Sequence, residues 1–215
     1  MMYIENIFIC IAIPLLLSLI FIQGEARKYT LFICIGMGMC TLSAYVSSFF
    51  MNYYNVDAVA AAVEITPVCE EVMKILPLLF YILIFEPERK MIPRVAIAIA
   101  VGFATFENVC YLTENGAADF NILLVRGLSS GALHILCGIL IGFGIAYIFR
   151  QKTLAVTGTI GLLGASSVFH AIFNLFVSAE GTWKWIGYLF PSVMILVLVA
   201  GWHLVMRLNR YHNVE

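Results

Sequence analysis

Two adjacent carboxylates and an ammonium, Glu70, Glu71 and Lys74, interrupt an apolar run that extends from Ala58 to Phe85. Further along, Glu107, Arg126, His134, His170 and Asn174 interrupt later apolar runs. Carboxylates and imidazoles move protons, activate water for hydrolysis and bind metals. Ionised side chains at membrane depth are costly and rarely face lipid, so each of these groups needs a partner from another segment.

Local spacing narrows the roles. On a helix Glu70 and Lys74 are one turn apart and share a face, whereas Glu71 lies about 100° round the axis. The two carboxylates therefore need not do the same job: Lys74 can neutralise one and leave the other available for proton transfer. The competing reading is a buried ion pair that locks two helices. His170 and Asn174 are also one turn apart, so an imidazole and a carboxamide project together, able to hold a water or stabilise an oxyanion. His203 has no such company, and Glu64 reads as an interfacial charge ahead of Pro67.

Glu71, Glu107, His134 and His170 together could fill a zinc shell, although no HExxH motif is present and the histidines fall on different helices. The cofactor is thus open between none and a divalent metal such as zinc. The six cysteines all fall inside apolar segments with no CxxC pair. They read as small buried hydrophobes; Cys69 and Cys110, beside the acids, are the two to consider as nucleophile or ligand.

The elements that must position these groups are membrane helices. The 215-residue chain is 62% hydrophobic and 12% charged, with formal net charge −1 and mean hydropathy +0.98. That composition excludes a soluble domain and gives no basic patch for nucleic acid. Apolar runs of about 20 residues or more lie at 3–22, 29–51, 58–85, 94–112, 121–149, 154–178 and 185–206. The expected fold is an all-α, polytopic transmembrane bundle of about seven spans, in a single domain over 1–215 whose polar core occupies 58–178. The first run has no basic n-region or small-x-small site and is expected to stay as an anchor. The run from Ala58 is longer than a straight crossing needs, so tilt or a short turn is expected before Pro67.

Nine of the twelve Lys and Arg, namely Arg27, Lys28, Arg89, Lys90, Arg94, Arg150, Lys152, Arg207 and Arg210, fall in alternate connections, and only Lys184 falls in the others. The positive-inside rule then puts the N-terminus outside and the C-terminus in the cytoplasm. Counted along the helices, the polar groups reach overlapping depths from mid-membrane to the outer half, as one shared buried site requires. Gly127 with Gly131 and Gly138 with Gly142 are spaced to let neighbours approach the fifth span.

At this point four short motifs resemble one family. Glu70-Glu71-Val72-Met73-Lys74 is similar to EExxK, and Phe103 to Tyr111, with Glu107 and Asn108, to FxxxENxxY. His134 to Gly138, with Arg126 upstream, is similar to HxxxG, and His170 to Asn174 to HxxxN/D. Their order and spacing over about half the chain resemble the PrsW family of bacterial intramembrane proteases, in the superfamily of the type II CAAX prenyl endopeptidases.

The resemblance implies an intramembrane endopeptidase of the bacterial plasma membrane that cuts a membrane-anchored, single-span protein near the outer face, such as an anti-sigma factor at site 1. It implies attack by water, with Glu70 or Glu71 as general base, Glu71 or His134 holding the water, and His170 and Asn174 at the oxyanion. Glu107 would orient a histidine, with Lys74, Arg126 and Asn108 in support. The partners expected are that substrate and lipid, with no nucleic acid. Two other classes compete: a proton- or ion-coupled transporter using the same acids as a relay, and a non-catalytic immunity or scaffold protein.

Overall fold

The computed structural model describes residues 4–116, 120–148 and 152–212, without the side chains at 115, 122, 148, 152–155 and 202–212. Arg150 and the side chains of Lys152, His203, Arg207 and Arg210 therefore lie outside the described residues. The architecture is all-helical. Its elements are α1 (Ile4–Ser18), α2 (Gly24–Tyr54), α3 (Ala58–Ala60), α4 (Thr66–Phe85), α5 (Met91–Asn115), α6 (Phe120–Phe143), α7 (Lys152–Ser178) and α8 (Thr182–His212), with π-helical turns at Ala61–Ile65 and Gly144–Ile148.

These helices coincide with the apolar runs, because in lipid a backbone must satisfy its own polar groups. Among the described residues, five stretches are long and apolar enough to cross a membrane: Gly24–Tyr54, Met91–Glu114, Leu123–Tyr147, Val156–Ser178 and Thr182–Gly201. The described part of α1, 15 residues, rises roughly 22 Å and is apolar but shorter than the five. The three charged residues of α4 set it apart from the five. Large apolar side chains cover the outside, among them Phe80, Leu83, Ile160 and Leu196, each more than half exposed. Such a surface suits lipid and not water.

The segment 58–85 holds together across its length. Asp57 caps its start, its carboxylate accepting from the N–H groups of Val59 and Ala60 at 2.9 and 2.8 Å. The irregularity expected ahead of Pro67 is the π turn Ala61–Ile65, which widens the helix without ending it. Proline cannot continue the normal bonding pattern, and a π turn is one way to absorb that.

Three apolar clusters surround the polar residues. One joins Phe32, Ile75, Leu78, Tyr81, Val95 and Ile99 from α2, α4 and α5. A second places Met37 and Cys40 against Phe103 and Phe106, with Phe8 of α1 edge-on to Phe106 at 5.8 Å. The third is Leu133, Cys137 and Phe173, covered by Phe190 of α8.

The glycine expectation divides. A Cβ on Gly138 would stand 2.9 Å from the Ala100 Cβ, and one on Gly142 2.7 Å from the Pro93 Cα, so both pack against α5 as expected. Among the described residues nothing comes within 4 Å of a Cβ on Gly127 or Gly131, which corrects the expectation that they admit a neighbour. The tightest contacts involve Gly36 of α2 and Gly102 of α5, where a Cβ would overlap the carbonyls of Ile99 and Ile33. These two glycines bring α2 and α5 together backbone to backbone.

Candidate active site

Four helices converge on one buried polar chain. From α4, Lys74 Nζ donates to Glu71 Oε1 at 2.5 Å and approaches His134 Nδ1 of α6 at 2.8 Å. On its other edge His134 Nε2 lies 2.7 Å from Glu107 Oε2 of α5. The same Glu107 accepts from Ser130 Oγ at 2.9 Å and from Arg126 Nη2 at 3.0 Å. Arg126 in turn stacks its guanidinium 3.7 Å above the Tyr111 ring. From α7, His170 Nδ1 is 3.0 Å from Glu71 Oε1. Glu70, Glu71, Lys74, His134 and His170 are all buried, with Glu71 and His134 wholly so.

These contacts assign ring protons. An ammonium can only donate, so Lys74 makes Nδ1 of His134 the acceptor and leaves the proton on Nε2, aimed at Glu107. A carboxylate can only accept, so His170 donates from Nδ1 to Glu71, and in the neutral ring its Nε2 carries the lone pair. That lone pair faces Glu70 Oε2 across 3.6 Å, too far for a hydrogen bond. The two imidazoles stand edge to face, with centroids 5.1 Å apart.

One atom of each glutamate is idle: Glu70 Oε2 and Glu71 Oε2 are buried with no hydrogen-bond partner. Buried carboxylate oxygens demand a proton, a water or a cation. Ligand atoms of Glu70, His134 and His170 lie within 4.8 Å of one another, and among the described residues no cysteine joins them. Two imidazoles and a carboxylate are a common zinc donor set, so these residues fit a divalent metal. The carboxylate in that set is Glu70, whereas the sequence offered Glu71 and Glu107. Both of those already hold an ammonium or a guanidinium through one oxygen.

Asn174 and Asn108 have different partners from the glutamates. Asn174 Nδ2 donates to the Ala62 carbonyl at 2.7 Å. Asn108 Oδ1 is buried without a partner. Sequence reading missed Ser130 and noted Phe103 only as the first residue of a motif, without a role. Phe103 lies under Lys74, whose Nζ is 5.0 Å from the ring centroid, and packs beside His134 at 5.1 Å. Ser130 was legible in principle: Arg126, Ser130 and His134 follow at i, i+4 and i+8, one stripe of α6 facing Glu107.

A helical bundle clad in apolar side chains, enclosing carboxylates and imidazoles arranged to handle protons, suits a membrane-embedded hydrolase. The chain belongs to the PrsW family of intramembrane metalloproteases, whose model matches residues 25–202. That match takes in every residue of the buried cluster. No curated protein and no solved structure matches the chain.

Proposed function

We propose that the protein is an endopeptidase of the bacterial plasma membrane that hydrolyses a peptide bond of a single-span membrane protein near the outer face. An anti-sigma factor cut at site 1 is the substrate class we assign. The observation that carries the reading is the pair of idle buried oxygens, Glu70 Oε2 and Glu71 Oε2, beside two imidazoles. Seven spans, an outer N-terminus and a cytoplasmic C-terminus agree with the basic residues of alternate connections. On that orientation the site lies between mid-membrane and the outer half of the bilayer.

The two carboxylates divide the work. Glu70, His134 and His170 would hold the divalent metal, which when bound supplies Lewis-acid polarisation of water or carbonyl. Glu71 is anchored through Oε1 by Lys74 and His170, and its free Oε2 takes the proton of the attacking water and returns it to the leaving amine. Glu107 holds the ring of His134 in place, and Arg126 and Ser130 hold Glu107. Lys74, on a flexible stem, is the contact of His134 that can withdraw when the imidazole takes up a cation.

The test is co-expression of the chain, and of its Glu70→Gln and Glu71→Gln variants, with single-span anti-sigma factors of the same genome, read by immunoblot. Cleavage by the wild type alone is expected. Wild-type cleavage by both variants, or proton-coupled uptake in proteoliposomes with no cleavage, would overturn the reading.

A further inference from the structure

The turn that leads into Glu70 and Glu71 leaves the Ala62 carbonyl without its partner in the π pattern. Within Ala61–Ile65 the bonding reaches back five residues, so that the Thr66 N–H meets the Ala61 carbonyl. The next bond in that pattern would join the Ala62 carbonyl to the N–H of residue 67, and Pro67 has none. In a membrane no bulk water is at hand to fill such a vacancy.

It is filled from another helix. Asn174 of α7 donates from Nδ2 to the Ala62 oxygen at 2.7 Å. One turn earlier on the same helix, His170 Nδ1 meets Glu71 Oε1 at 3.0 Å. Helix α7 is therefore tied to the 58–85 segment at two points on either side of Pro67. One tie is between reactive groups, and the other is between a carboxamide and a carbonyl that proline set free.

We propose that Asn174 is a positioning residue: by supplying the hydrogen bond that Pro67 denies to Ala62, it sets the distance between the glutamates of α4 and His170. Pro67 and Asn174 form one device, in which the proline creates the vacancy and the asparagine uses it to align two helices. The activity half of this inference rests on the protease reading; the pairing of Pro67 with Asn174 does not.

The experiment is a double-mutant cycle on the full chain with Asn174→Ala, Pro67→Ala and the two combined. Equilibrium unfolding in detergent reads the pairing without reference to activity. In the Pro67 chain Asn174→Ala is expected to raise the unfolding constant about three- to tenfold, in line with hydrogen bonds between membrane helices. In the Pro67→Ala chain the new N–H supplies the partner and the same change has roughly no effect. Cleavage reads the alignment: Asn174→Ala lowers kcat with KM unchanged, and the double variant returns to the level of Pro67→Ala. A kcat loss from Asn174→Ala that is equal in both chains assigns the carboxamide to the reacting atoms and overturns the proposal. So does an unfolding effect of the same size in both chains. If Pro67→Ala does not insert, Pro67→Ser provides the same N–H. Should the wild type cut nothing, the protease reading fails while the unfolding cycle still decides the pairing.

Discussion

Lys74 Nζ lies 2.8 Å from His134 Nδ1 while also holding Glu71 at 2.5 Å, so a single ammonium sets the tautomer of a histidine and anchors a carboxylate. Replacing it with methionine removes both effects. Lys74→Met is expected to destabilise the protein by about 3–5 kcal/mol, the cost of leaving a buried charge unpaired. Adding Glu71→Gln should recover much of that stability and none of the cleavage. Unfolding in detergent and a cleavage blot on the same preparations separate the two outcomes. Lys74→Arg should not rescue activity, because a planar fork cannot replace one Nζ between Glu71 and His134.

Glu107 accepts from three side chains at once, Arg126, Ser130 and His134. Glu107→Gln leaves the guanidinium without its countercharge and turns one acceptor oxygen into a donor. A loss of activity of about 10- to 100-fold is expected, the range found when the outer partners of a metal-ligating histidine are removed. Ser130→Ala, which deletes one of the three contacts, should cost about 1 kcal/mol of stability. An activity loss from Ser130→Ala as large as that from Glu107→Gln would contradict this ordering.

Metal content distinguishes the two adjacent glutamates. Purified protein loaded with zinc should retain about one ion per chain, as three protein ligands with one open position allow. Glu70→Gln, His134→Ala and His170→Ala should each reduce retention, measured by elemental analysis. Glu71→Gln should retain the ion and lose cleavage. Chelation should abolish wild-type cleavage and zinc should restore it; full cleavage after complete chelation would return the role of base to Glu70.

The glycine contacts predict a contrast in stability. Gly36→Ala and Gly102→Ala place a methyl group into a backbone carbonyl of the facing helix, and overpacking of this kind costs about 1–3 kcal/mol. Gly127→Ala and Gly131→Ala, with open space around both, should be neutral or stabilising by up to about 1 kcal/mol through helix propensity. Unfolding midpoints of the four variants in one detergent test the contrast.

The helices were legible because membrane solvation forces an apolar run of sufficient length to satisfy its own backbone. The residues that meet were legible for a related reason: ionised groups at similar depth have only one another as partners, which joins Glu71, Lys74, Glu107, His134 and His170. Helical periodicity likewise put His170 and Asn174 on one face. Periodicity acts within a helix, however, and carries no information on how far one helix is turned or how closely it approaches the next. Packing settled those quantities. It pressed α2 onto α5 at Gly36 and Gly102, and left Gly127 and Gly131 open. It placed the carboxylate of Glu70, rather than that of Glu71 or Glu107, in one possible ligand group with both histidines. It also brought the carboxamide of Asn174 to the Ala62 carbonyl, a bond between residues distant in sequence that exists only because two helices come together beside Pro67.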